Sequence, residues 1–249
     1  GQIYPFVVGE NVRDFNILQH QWIWWPYEDI QEPRWVAPDS AIPMRALWRN
    51  RMILRDRTVF GKSFTDRGRP WYDHLETYPT KLRTPLSIAL AEVSTHNHFV
   101  LDRGGKTFKQ SSPVIKLHSG SSIDDYQALL GVLNSSLTCF WLRQVCGAKG
   151  GSGIGRGIQP EAWMERYNFN PTNVLEFPLV PSLPSTRGRQ LDELAHEFAA
   201  STPNAIVGGA VPTRDLLNRG RQTFSSTRAQ MVAQQEELDW EVYERYGIL

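Results

Sequence analysis

The chain has 249 residues, 41% of them hydrophobic and 21% charged, with a mean hydropathy of -0.40. That content excludes a disordered tail and a collagen-like chain, and the length allows one large core or a larger lobe with a smaller helical piece. The 27 basic and 26 acidic residues cancel to +1, which says little about partners until the charge is mapped along the chain.

No run of about 18 apolar residues is present, so no membrane partner is expected. No basic, apolar, small-residue leader opens the chain, and a cytoplasmic location is expected. The first residue is Gly1, not Met, and the expectation is a cut inside a longer protein or the scar of a tag. Cys139 and Cys146 lie seven apart in a helical pattern. At about 1.5 Å of rise per residue their Cα atoms are roughly 10 Å apart, too far for a disulfide. They are expected to be buried thiols.

Ile3–Val8 is a β-branched run closed by Gly9 and predicts a strand. Trp22–Trp25, ended by Pro26, predicts a second. Asp39–Arg57 predicts a helix, with Asp39 or Ser40 as N-cap and Pro43 in the first turn. Leu86–Val93 fits a strand or a buried helix, which periodicity does not separate. His98–Leu101 and Val114–Leu117 predict strands, with a turn at Asp102-Arg103-Gly104-Gly105. A helix follows, capped by Ser121 or Ser122, with apolar residues at 129, 130, 133, 137, 140 and 141 that place Leu129, Leu133 and Phe140 in the core. After a glycine loop from Gly147 to Gly157 come a short helix around Pro160–Arg166 and a strand at Val174–Phe177. The stiff segment Pro178–Pro184 marks a domain boundary, giving domains 1–184 and 185–249. Beyond it, Ser185–Ala200 predicts a helix, a Gly/Pro interruption runs to Pro212, and two helices end near Tyr246 before Gly247.

Charge is uneven along this path. Residues 1–44 carry two basic and six acidic side chains, a net of −4, and residues 45–83 carry ten and four, a net of +6. Eight of those ten are arginines. The planar guanidinium fork suits phosphates and guanine edges, although a solvated face with local ion pairs fits the charge equally well.

No catalytic constellation emerges. The alternating glycines at 151, 153, 155 and 157 follow a helix, so they match neither the dinucleotide fingerprint nor the nucleotide P-loop. His96-Asn97-His98 is too compact for a ββα-metal nuclease; alternation puts both histidines on one strand face, where zinc is conceivable, but no further ligand lies at a familiar spacing. Packing or a hydrogen bond is the expected role of these histidines. None of the six lysines has an acid two positions before it, so the restriction-nuclease core is absent as well.

Several stretches together resemble one family. Leu129-Leu130-Gly131-Val132-Leu133-Asn134-Ser135-Ser136 resembles the "LLGLLNS" helix in the target-recognition region of TaqI-like adenine-specific DNA methyltransferases. Tyr4–Asp14 with Trp24–Tyr27 resembles its entry strands, and Glu176–Leu179 its exit, which also occurs in type I restriction specificity subunits. Residues 99–106, 112–117, 149–157 and 235–240 resemble, in order, the PglX branch found in BREX phage-defence systems. The Asn-Pro-Pro-Tyr/Phe motif and the S-adenosylmethionine loop of such enzymes are not in this sequence; Asn170-Pro171-Thr172 is not that motif.

The resemblance implies an α+β fold of mixed short-strand sheets with helices, followed by a helical C-terminal segment. It implies a DNA-recognition fragment of an enzyme used in restriction-modification or phage defence. No cofactor is expected in the fragment, and S-adenosylmethionine is expected for the parent enzyme. Its partners would be double-stranded DNA, an upstream methyltransferase domain of the same polypeptide, and other phage-defence proteins. The candidate phosphate contacts are Lys62, Arg67, Arg69, Lys149 and Arg156, and the candidate base contacts are Trp71, Tyr72, Arg103 and Lys106. The alternative is a protein-interaction module using the acidic C-terminal helix, with Glu236, Glu237, Asp239, Glu241 and Glu244.

Overall fold

The computed structural model describes residues 2–28, 35, 42–75, 85–149 and 165–249. The glycine-loop segment 150–157 with Arg156, the helix expected around 160–166 except for its last two residues, and the caps expected at Asp39 and Ser40 lie outside the described residues. The fold is α+β, with helices and several small antiparallel sheets. Its contacts form two compact units, one of residues 1–6, 21–85 and 104–107, the other of 7–20, 86–103 and 108–249.

In the first unit, β1 (Gln2–Val7) pairs antiparallel with β4 (Gln21–Trp25), Tyr4 opposite Ile23. β10 (Thr107–Phe108) pairs with the other edge of β1. Within β4, Trp25 is buried and Trp22 is 66% exposed. The predicted helix 39–57 is two short helices, α1 (Ile42–Trp48) and α2 (Arg51–Arg55). Asn50 breaks it, with φ −106° and ψ 12° outside the helical well. A hairpin follows, β5 (Thr58–Val59) and β6 (Lys62–Ser63).

In the second unit, β7 (Ser87–Leu90) lies between β9 (Phe99–Asp102) and β11 (Val114–Ile115). This resolves Leu86–Val93 as a strand. All residues of β7 and β9 are buried because the sheet is covered on both faces. Ile88, Leu90, Phe99 and Leu101 face a large core; Ala89, Ala91 and Val100 face a smaller one with Val7 and Val12. Burial of each large aliphatic or aromatic side chain stabilises by about 1.5–3 kcal/mol. Two further small pairs are β2 (Val12–Arg13) with β3 (Asn16–Ile17), and β8 (Val93–Ser94) with β12 (Tyr167–Asn168).

The single helix expected after Ser122 is also two, α3 (Ile123–Leu133) and α4 (Ser136–Val145). Ser122 and Asp125 close a capping box at the start of α3. The break is made by side chains. The Asn134 amide accepts from the Phe99 N–H (2.9 Å) and donates to the Phe99 carbonyl (3.0 Å), acting as one more strand partner for β9. Ser135 then caps α4. Restarting the helix changes its phase: Thr138, Leu142 and the following Cys146 turn inward, and Phe140, expected in the core, is 65% exposed. Both cysteines are free, and Cys139 is only half-buried.

The strand expected at Val174–Phe177 is instead the end of a helix, α5 (Pro171–Leu175), started by the Asn170 cap and Pro171 in its first turn. α6 (Ser185–Ala200) matches its expected bounds. A short α7 (Pro203–Gly209) occupies the Gly/Pro interruption, and the two last helices expected are one, α8 (Arg214–Arg245). Packing does not set residues 185–249 apart. Leu191, Ala195, Leu238 and Val242 lie in one core with the α3 leucines and β7. Gly131 and Gly188 let α3 and α6 touch backbone to backbone; a Cβ on Gly131 would meet Gly188 Cα at 3.1 Å.

Candidate nucleic-acid interface

The +6 stretch begins in the first unit with a rigid base. Phe64 is fully buried, and the guanidinium groups of Arg57 and Arg69 lie 4.6 and 4.9 Å from its ring centre. Arg57 donates to the Trp71 and Asp73 carbonyls (3.0 and 2.9 Å). Arg69 pairs with the buried Asp73 carboxylate at 2.6 Å and donates to the His74 carbonyl. Tyr27 Oη donates to the same carboxylate. Burial holds the His74 pKa below its ordinary value, so the neutral ring donates to the Trp24 carbonyl (3.1 Å). Burial and the Asp73 charge together raise the Tyr72 pKa.

Above this base stands the β5–β6 hairpin. Its two-residue turn, Phe60-Gly61, has positive φ at both positions, 49° and 75°, the mirror-image turn that suits strand twist. Glycine adopts it freely and phenylalanine does not, at about 1–2 kcal/mol. The turn leaves the Phe60 ring 87% exposed. The Arg67 guanidinium lies 5.8 Å from that ring. Arg45, Arg49, Arg51, Arg55, Lys62 and Arg67 are exposed, and none pairs with a carboxylate among the described residues. Arg51 lies over the half-exposed Trp48 ring at 4.7 Å, which keeps its cation at the surface.

The sequence-predicted residues therefore divide. Lys62, Arg67, Arg69, Trp71 and Tyr72 share this segment, but only Lys62 and Arg67 are exposed. Arg69 is bound to Asp73, Tyr72 is buried, and Trp71 is held edge-on by Trp48 and Tyr72 at 5.8 and 5.5 Å. Lys106, also in the first unit, is half-buried. Of the two in the second unit, Lys149 is exposed, its N–H donating to the Arg166 carbonyl (2.7 Å). Arg103 is committed inside the second unit: its guanidinium reaches the fully buried Asp192 carboxylate at 2.5 Å and His196 Nε2 at 3.1 Å. Gln127 donates to the same Asp192 oxygen at 2.8 Å. Sequence reasoning missed Phe60 and Arg51. The available signal was the Phe-Gly pair flanked by Thr58-Val59 and Lys62-Ser63.

The acidic C-terminal helix is largely occupied within the second unit. Asp239 accepts from the Ser136 N–H and hydroxyl (2.8 and 2.6 Å). Glu237 and Glu241 face Arg187, and Glu241 also binds Arg245 at 2.5 Å. No helix of the described residues is long and apolar enough to cross a membrane.

No family model matches the sequence. Among solved structures, the type IIL restriction-modification enzyme MmeI in complex with DNA aligns with 99% of this chain and 28% of its own, at 15% identity and a TM-score of 0.49. In sequence, the chain is 40% identical over 97% of its length to the adenine-specific methyltransferase PglX of Streptomyces coelicolor, of which it spans about a fifth, 20%.

Proposed function

We propose that this chain is a DNA-recognition segment of an adenine-specific DNA methyltransferase in restriction-modification or BREX-type phage defence, working in the cytoplasm. The observation that carries the reading is the 40% identity, across nearly the whole chain, to one part of such an enzyme. The exposed cations beside Phe60 supply a physical means. Lys62, Arg67 and the arginines of α1 and α2 would neutralise phosphates and set the register on the duplex. Phe60 would stack on or wedge between bases, which lowers the cost of taking one adenine out of the helix. Methyl transfer, with its S-adenosylmethionine, belongs to an upstream domain of the parent protein. Lys149 and Arg156 would be further phosphate contacts.

The test is duplex-DNA binding by the 249-residue chain, followed by fluorescence anisotropy across a salt series. A log–log slope near −0.9 per neutralised phosphate is expected, and no binding at low salt would overturn the reading. The protein-interaction alternative has less to work with, since Asp239, Glu237 and Glu241 already have partners in the chain.

A further inference from the structure

His96 and His98 acquire a third neighbour that sequence spacing could not provide. It is Asp14, which stands at the first position of the turn between β2 and β3. The second turn residue, Phe15, has φ +56° and is buried to 2% exposure, with its N–H donated to the Phe99 carbonyl at 3.0 Å. Core burial thus holds a strained turn against β9 and presents the Asp14 carboxylate to the histidines.

The histidines are held with equal care. Asn97, between them, is buried and donates to the Leu133 carbonyl at 2.6 Å. The next residue, Phe99, is gripped by Asn134. Thr95 Oγ1 lies 2.9 Å from His96 Nδ1, which leaves His96 Nε2 for the carboxylate side. The two rings are 4.1 Å apart between centres. His98 Nδ1 is 2.7 Å from Asp14 Oδ1, and His96 Nε2 is 3.9 Å from Asp14 Oδ2. One ligand atom from each of the three residues falls within 4.8 Å of the others.

We infer that Asp14, His96 and His98 form a three-ligand site for a first-row divalent transition ion, zinc foremost. Ligands about 2.0–2.2 Å from zinc in a tetrahedron are about 3.3–3.6 Å from one another, so the three atoms, all within 4.8 Å of one another, need to draw together by at most about 1.5 Å to hold one ion. Two imidazoles and one carboxylate favour zinc, nickel or cobalt over magnesium or calcium, which prefer oxygen ligands. Asp14 and His96 are half-exposed, which gives the ion an entry path and leaves the fourth position to water. With three protein ligands in place of four, affinity falls below that of a closed structural site. The bound ion ties the β2–β3 turn to the start of β9. This inference rests on the second unit alone and does not depend on DNA binding.

The test uses chelator-stripped chain titrated with zinc chloride by calorimetry, and with cobalt(II) followed by its visible absorption. The expected result is one zinc per chain, a four- or five-coordinate cobalt spectrum, and at least tenfold weaker binding in His96→Ala and Asp14→Asn. Both side chains are half-exposed, so each variant should melt like wild type in chelator. His118→Ala, at an exposed histidine elsewhere, should bind like wild type. No saturable binding below about 1 mM zinc, or equal affinity in His96→Ala, would leave only a histidine–aspartate hydrogen bond and overturn the site.

Discussion

Replacing Arg103 separates a DNA-reading role from a structural one. Asp192 is fully buried, and its Oδ2 receives Arg103 at 2.5 Å and Gln127 at 2.8 Å. Its Oδ1 has no hydrogen-bond donor, and His196 Nδ1 lies 3.7 Å from it. Arg103→Ala therefore leaves a buried carboxylate with one neutral donor. Breaking a fully buried pair costs about 3–5 kcal/mol. The Arg103 side chain is 39% exposed, and solvent screens part of that interaction, so about 2–4 kcal/mol is expected. For a chain of this length that corresponds to a fall in Tm of roughly 5–12 °C. Thermal unfolding followed by circular dichroism measures it. The double variant Arg103→Ala with Asp192→Asn should recover much of the loss, because the uncompensated charge is gone. A wild-type Tm in Arg103→Ala, with DNA affinity reduced, would refute the structural role and return Arg103 to the base-contact set.

Phe60→Ala should weaken duplex binding by about 1–3 kcal/mol, read by anisotropy, with no loss of Tm because the ring is 87% exposed; unchanged affinity would remove Phe60 from the interface. Arg67→Ala should flatten the log–log salt slope by about 0.9 while leaving the fold intact, whereas Arg69→Ala should lower Tm, since it leaves buried Asp73 with the Tyr27 hydroxyl but without its cation. Equal effects of the two on both readouts would contradict the division drawn between them. The pH dependence follows from His74. Its pKa is depressed in the fold by burial, so the unfolded chain binds the proton more readily. The stability it contributes is present above the unfolded value of about 6.5 and is lost as pH falls toward the folded value. Urea midpoints between pH 7.5 and 5.5 should decline, and His74→Phe should flatten the decline.

How far the sequence could be read depended on whether a local signal had to compete with a distant one. The helix at 185–200 was legible from its own pattern, since its apolar face simply found the core. The helix after Ser122 was legible only to Leu133. Nothing local says that the Asn134 amide will pair with the backbone of Phe99, 35 residues earlier, and that pairing ends the helix and turns Phe140 outward. Asn170-Pro171 was a readable helix start, yet the apolar run after it was read as strand, because short apolar runs do not reveal their period. Among the site residues, positive charge was legible but its employment was not. Arg69 and Arg103 look like Arg67 in sequence and differ only in having a buried carboxylate within reach.

The sequence by itself determined the alternation of helical and extended segments, the basic stretch at 45–83 and the resemblance to a methyltransferase recognition region. Those properties follow from composition, local periodicity and chain order. Tertiary structure alone decided which arginines remain available, that Phe60 stands on a hairpin tip, and that Asp14 meets the two histidines. Each of these depends on contacts between residues distant in sequence, where burial sets whether a charge is paired and which turn can be strained.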